Sequence, residues 1–196
     1  MIKLNRKQLI LISSLFVITF AVTALARVPT GITYQVGKSR VNAGVYATAG
    51  DAMVYVSVLI LGFPWGAAVS AVGAALADLV VGSKLYIIGS LLIKPAMALC
   101  AAGLANNCNS WKRCFAVAGI TELVMLVGYF LYDLVIVREF AVAGQAFLIN
   151  LIQAVVCTGL GGLALHFIPV VHPERMPAIK LPEQRSRANR DEDPWN

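Results

Sequence analysis

Charged residues crowd the two ends of this 196-residue chain and leave its middle to apolar runs. Lys3, Arg6 and Lys7 open it, a dense charged tail runs from Glu174 to Asp193, and everything between reads as membrane. A helix that crosses a bilayer needs about 20 mostly apolar residues. Six segments come close: Leu9–Ala26, Asp51–Leu61, Ala67–Val81, Leu85–Ala105, Cys114–Val137 and Ala143–Ile168. The second and third are short and require tilt or shielding by neighbours. Composition agrees, with 13% charged residues against roughly 25% in an average soluble domain.

The expected fold is therefore an all-α integral membrane protein, a compact bundle of six transmembrane helices over residues 1–170. Between the first two helices the stretch Gly31–Gly50, rich in Gly, Asn, Ser and Tyr, is longer than a simple connector, and loops of that length are often functional. The tail, 171–196, holds five basic residues, five acidic residues and three prolines from Glu174 onward, and is expected to be disordered. The first helix carries signal-peptide-like features: Lys3 to Lys7, an apolar run, then Ala24-Leu25-Ala26. Its length and the membrane helices that follow favour an uncleaved span.

Six spans put both termini on one side. That side collects Lys3, Arg6, Lys7, Lys112, Arg113 and the tail's basic residues, against Arg27, Lys38, Arg40, Lys84 and Arg138 on the other. Positive charge marks the cytoplasm, so both termini are expected there and loop 31–50 outside. The net charge of +6 flanks apolar runs instead of forming one basic face, which argues against a nucleic-acid partner.

Ionisable groups within spans are expensive and point to function by default. Lys94 lies nine residues into the fourth helix, roughly 13 Å deep at about 1.5 Å per residue, and Glu122 reaches a similar level in the fifth. They can meet, either as a structural ion pair or as contacts to a polar solute. A second group lies nearer the outside: Asp51, Asp78, Tyr86, Tyr129, Asp133, Asn150 and Gln153. Asn150 and Gln153 share a helical face, as do Tyr129 and Asp133. Aromatic rings beside amides suit a flat heteroaromatic ligand that stacks on one and hydrogen-bonds to the other. The plainer reading assigns the tyrosines to an interfacial belt and has the aspartates cap helix ends or pair with Lys84 and Arg138. The expected substrate-binding residues are Asp51, Lys94, Glu122, Tyr129, Asn150 and Gln153.

Other chemistries find little support. Cys100, Cys108, Cys114 and Cys157 form no Cys-x-x-Cys pair and have no histidine at ligand spacing, so neither a metal nor a cofactor is expected. His166 and His172 belong to no hydrolase or zinc motif, and no phosphate loop is present for ATP hydrolysis. A small intramembrane enzyme, a structural membrane protein without ligand and a transporter that works alone remain the alternatives.

Several segments in order resemble one known family. Gly50-Asp51-Ala52, Leu61-Gly62-Phe63-Pro64-Trp65-Gly66-Ala67, Gly73-Ala74-Ala75-Leu76-Ala77-Asp78-Leu79, Ile93-Lys94, Gly128-Tyr129-Phe130 and Asn150-Leu151-Ile152-Gln153 look like the substrate-binding S components of energy-coupling factor (ECF) vitamin transporters. The resemblance is greatest to the riboflavin-type branch, which includes pyridoxine and hydroxymethylpyrimidine carriers. It implies a six-helix bundle that binds a vitamin or precursor near the outer face, with the first external loop as a lid. It also implies a transmembrane coupling subunit and two cytoplasmic ATPases as partners, and transport by toppling in the bilayer. The family's Ala-x-x-x-Ala docking pair on the first helix is absent. Ala21 is followed by Leu25, while Thr19 and Thr23 supply small residues at the same spacing.

Overall fold

A computed structural model of the chain describes residues 6–36, 38–105, 108, 110–136 and 138–168. The charged tail and Lys3 lie outside the described residues. Six helices make up most of the structure: α1 (Arg6–Leu25), α2 (Ala52–Leu61), α3 (Trp65–Val81), α4 (Tyr86–Leu104), α5 (Trp111–Ile136) and α6 (Phe140–Phe167). α1, α4, α5 and α6 are long and apolar enough to cross a membrane, whereas α2 and α3 are shorter apolar helices. α2 turns into α3 through Gly62 and Pro64, with Gly62 at φ 69°, a conformation that costs glycine little. α3 ends on Gly82 at φ 86°, in a left-handed cap where Ser83 donates its N–H to the Asp78 carbonyl at 2.8 Å.

The long loop between α1 and α2 holds four short strands. β1 (Arg27–Pro29) pairs antiparallel with β4 (Tyr46–Thr48), and β2 (Thr33–Val36) with β3 (Ser39–Asn42). The all-α expectation did not include them. They are three or four residues long, set among glycine and asparagine, and pair only with one another, so they carry no long period of alternating hydrophobicity. The ladders cap one end of the bundle, hereafter the strand end. A 3-10 turn, Ala49–Asp51, then leads straight into α2.

The distribution of polarity is that of a membrane protein. Leucine, isoleucine and valine cover the outside, among them Leu92, Leu123, Val135, Ile152 and Val155, while Asp51, Asp78, Lys94, Glu122, Asp133, Asn150 and Gln153 are buried. In lipid, an apolar exterior costs nothing, and buried polar groups must satisfy one another. The largest helix interfaces are α5 with α6 and α3 with α4, while α1 lies mainly along α3. α1 buries only Leu15, Thr19 and Thr23. Thr19 packs against Gly73 and Thr23 against Gly50, so close that a Cβ at either glycine would fall within 3.0 Å of the threonine. The two threonines expected to stand in for an outward docking pair are therefore turned into the bundle.

Candidate functional site

Asp78 sits in the last turn of α3, where the helix dipole disfavours a carboxylate. Its hydrogen bonds offset that. Tyr46 of β4 donates to Oδ1 at 2.5 Å, and Ser90 of α4 donates to Oδ2 at 2.6 Å. Ser90 also meets the Tyr129 hydroxyl of α5 at 2.9 Å. This carboxylate, with Ser90, thus ties β4 to α3, α4 and α5. Outside the helices, the Tyr46 phenol is held above its ordinary pKa, first by burial and then by the Asp78 carboxylate, so it remains a donor at neutral pH.

One turn further along α4, Lys94 makes a buried ion pair with Asp51 at the entry to α2. Its Nζ also lies 5.6 Å from the centre of the Tyr129 ring, within cation–π range. The other oxygen of Asp51 accepts from Gln153 Nε2 of α6 at 2.7 Å. Gln153 Oε1 in turn accepts the Thr48 N–H of β4 at 2.7 Å. A buried charge pair is tolerable only when its remaining lone pairs and protons are engaged, and here Gln153 and Tyr129 do that.

These groups surround a cavity under β4 with about 420 Å³ of empty space, its open part included. Tyr86, Ser90, Lys94, Tyr129, Asn150 and Gln153 contribute helix side chains to its wall, and Thr23, Tyr46 and Thr48 close it from α1 and the loop. Most polar groups of the wall already have partners. Two do not. The Asn150 side chain, on a largely buried residue, has no hydrogen-bond partner among the described residues, and the buried Thr23 hydroxyl has none either. An amide offers a donor and an acceptor side by side, so Asn150 presents the cavity with a free two-point hydrogen-bonding edge.

Of the six expected residues, four line this cavity: Lys94, Tyr129, Asn150 and Gln153. Asp51 stands directly behind them, wholly buried, with Lys94 and Gln153 on its two oxygens. Glu122 lies behind the cavity, next to Asp51 and within electrostatic reach of Lys94. It does not line the cavity and is bound by Tyr55 of α2, whose hydroxyl donates to its Oε1 at 2.9 Å. The ion pair of Lys94 is made with Asp51, because the start of α2 enters the bundle between α4 and α6, a placement that depth along α4 and α5 does not convey. Asp133 is held by Tyr86 at 2.8 Å. Among the described residues neither Asp78 nor Asp133 pairs with Lys84 or Arg138.

Sequence reasoning passed over Ser90, Tyr46, Thr48 and Thr23. Ser90 had a signal, since Tyr86, Ser90 and Lys94 recur every four residues and form one polar row along an apolar helix. The loop residues had none, because their place depends on how the strands fold over the bundle. No grouping of histidine, cysteine, aspartate or glutamate able to hold a metal occurs among the described residues.

No individual curated protein matches the chain. A family does, over residues 3–168: the S component of the ECF-type riboflavin transporter. The match takes in all six helices, the strand-bearing loop and every residue of the cavity wall. The chain belongs to the S-component family of ECF-type riboflavin transporters, as a multi-pass membrane protein of vitamin uptake.

Proposed function

We propose that this protein is the high-affinity substrate-binding subunit of an ATP-driven transporter and takes up a flat, uncharged vitamin or vitamin precursor of the riboflavin, pyridoxine or hydroxymethylpyrimidine class. Its family is one of transporters and not of enzymes. The observation that carries the reading is the free amide of Asn150, buried in a cavity whose other polar groups are mostly paired. A ligand with an adjacent donor and acceptor, as on a pyrimidine or pyridine ring, satisfies both ends of that amide. Tyr86 and Tyr129 supply apolar ring surface next to it. The buried cation that the described residues place on the wall, Lys94, is engaged by Asp51, which favours a neutral ligand over a phosphate ester.

In this reading six helices cross the bilayer within a membrane domain of residues 1–170. Both termini are cytoplasmic, and loop 31–50 is external, in the plasma membrane. Arg6, Lys7, Lys112 and Arg113 then share the cytoplasmic side, as the distribution of basic residues requires. β4 acts as the cover of the site, held at Tyr46 and Thr48. The chain has no phosphate loop, so the energy comes from partners, a transmembrane coupling subunit and two cytoplasmic ATPases. Asp51, Lys94, Tyr129, Asn150 and Gln153 form the binding site, while Glu122 supports it from behind.

The test is a titration of the purified full-length protein with riboflavin, pyridoxine and hydroxymethylpyrimidine, followed by tryptophan fluorescence and native mass spectrometry. One member should bind 1:1, and Asn150→Ala should weaken it by about 1.5–3 kcal/mol, on the order of tenfold to a hundredfold. Absence of binding across the panel at micromolar concentration would overturn the proposal.

A further inference from the structure

Glu122 lies behind the vitamin cavity, near the middle of α5, and is 1% exposed. Its carboxyl group is half used. Tyr55 donates to Oε1 at 2.9 Å, while Oε2 is buried and has no hydrogen-bond partner. The titratable groups that face it are Asp51 and Tyr55 at the start of α2, Lys94 on α4 and Cys157 on α6. Asp51 and Tyr55 are four residues apart and share a face, and the Asp51 carboxylate lies within hydrogen-bonding reach of the Glu122 carboxyl group.

The protons of these neighbours are already placed. Among the described residues Lys94 makes its salt bridge with Asp51, and Gln153 donates to the other Asp51 oxygen. The single Tyr55 proton serves Oε1 and the Ala118 carbonyl, and the Cys157 thiol donates to the Thr48 carbonyl at 3.5 Å. An ionised Glu122 would set two carboxylates side by side against one ammonium group, where the surrounding dielectric is low and like charges repel strongly. A neutral carboxyl group has one O–H donor and one acceptor oxygen. The acceptor suits Tyr55, and the donor suits Asp51, whose oxygens each keep a second lone pair. We propose that Glu122 is held as a neutral acid whose O–H donates a hydrogen bond to Asp51, and that it is thereby a positioning residue for the vitamin site. The positioning role rests on the reading of that site given above. Asp51 holds both Lys94 and Gln153, and Gln153 holds the Thr48 N–H of β4, so one proton on α5 steadies two wall residues and the cover. The charges of Asp51 and Lys94 then cancel, which leaves the wall neutral toward a neutral cargo.

The test compares the infrared spectra of the full-length protein and Glu122→Gln, both without ligand, at neutral pH. The variant should lose the carbonyl band of a protonated carboxylic acid and keep its carboxylate bands. Loss of carboxylate absorption instead would show an ionised Glu122 and overturn the proposal. So would an acid band that survives Glu122→Gln and disappears in Asp51→Asn, because the proton would then belong to Asp51. Thermal unfolding gives a second readout. The amide of Glu122→Gln can donate to Asp51 through its nitrogen and accept from Tyr55 through its oxygen, so its Tm should match that of the unaltered protein. Glu122→Ala removes both links and should lower the Tm by about 5 °C or more. A Glu122→Gln protein as unstable as Glu122→Ala would overturn the proposal, since the charge of Glu122 would then be what the fold needs. For whichever of riboflavin, pyridoxine and hydroxymethylpyrimidine binds, Glu122→Gln should keep the affinity and Glu122→Ala should lose about tenfold. The infrared and unfolding arms need no ligand, so they decide the proton whether or not the vitamin reading stands.

Discussion

The hydroxyl of Tyr46, on a strand outside the helices, donates to the carboxylate of Asp78 in α3 at 2.5 Å. With Thr48 bound to Gln153 at 2.7 Å, it fastens β4 to the bundle at two points. Tyr46→Phe removes one fastening and leaves the ring. A hydrogen bond to a charged group contributes about 1.5–3 kcal/mol, so the amides of the β1–β4 ladder should exchange about 10 to 100 times faster by hydrogen–deuterium exchange. Unchanged exchange would show that the ladder does not depend on Asp78.

The Lys94–Asp51 pair should reveal itself through non-additivity. Lys94→Met leaves the Asp51 carboxylate buried without its cation, a loss on the order of 3–5 kcal/mol. Asp51→Asn leaves the ammonium stranded at similar cost. The double variant should be clearly more stable than the sum of the two losses predicts. Thermal unfolding in detergent, compared across the four proteins, gives the coupling; simple additivity would mean that the pair does not contribute in the folded state.

Gly161 and Gly159 are neighbours on α6 with opposite expectations. A Cβ at Gly161 would lie 2.5 Å from the Tyr55 ring, which cannot swing away because its hydroxyl is held by Ala118 and Glu122. Gly161→Ala should therefore destabilise the protein by about 1–3 kcal/mol, a fall in Tm of roughly 2–4 °C per kcal/mol for a chain of this size. At Gly159 a Cβ meets open space, so Gly159→Ala should be neutral or stabilise by up to about 1 kcal/mol through helix propensity.

Cys108 lies between α4 and α5, outside the helices, where burial and then the neighbouring Cys114 thiol push its pKa up to about 11. A raised thiol pKa means less thiolate at any lower pH, and the thiolate is what reacts. Alkylation at Cys108, followed by peptide mass spectrometry, should rise about tenfold per pH unit from pH 7 to pH 9.5 without levelling off. A plateau near pH 9 would show an unperturbed thiol.

The helices were readable in the sequence because each is a long apolar run, and lipid on the outside makes the whole run, instead of one stripe, hydrophobic. Their ends were less so. α1, α5 and α6 begin three residues earlier than the apolar runs at Leu9, Cys114 and Ala143 indicate, since their first turns carry polar or aromatic residues such as Arg6 and Trp111. Four of the six expected site residues came out on one cavity, because polar side chains in apolar helices have nowhere to go but inward. What hydropathy could not convey was pairing. Lys94 and Glu122 lie at matching depths, yet the partner of each comes from the short segment Asp51–Tyr55. Where that segment enters is decided by packing, including the close fit of Gly66 on α2 and Gly161 on Tyr55.

α1 fully buries three side chains, Leu15, Thr19 and Thr23, with Ile12, Phe16 and Val22 half-buried beside them, and of the three only Thr23 reaches the cavity. The remaining faces of this helix do not line the cavity. Most helix side chains on the cavity wall come from α4, α5 and α6, and the rest from Thr23 and α3. The outer faces of α1 and the cavity wall thus lie on different residues, so substitutions on those faces leave the wall untouched.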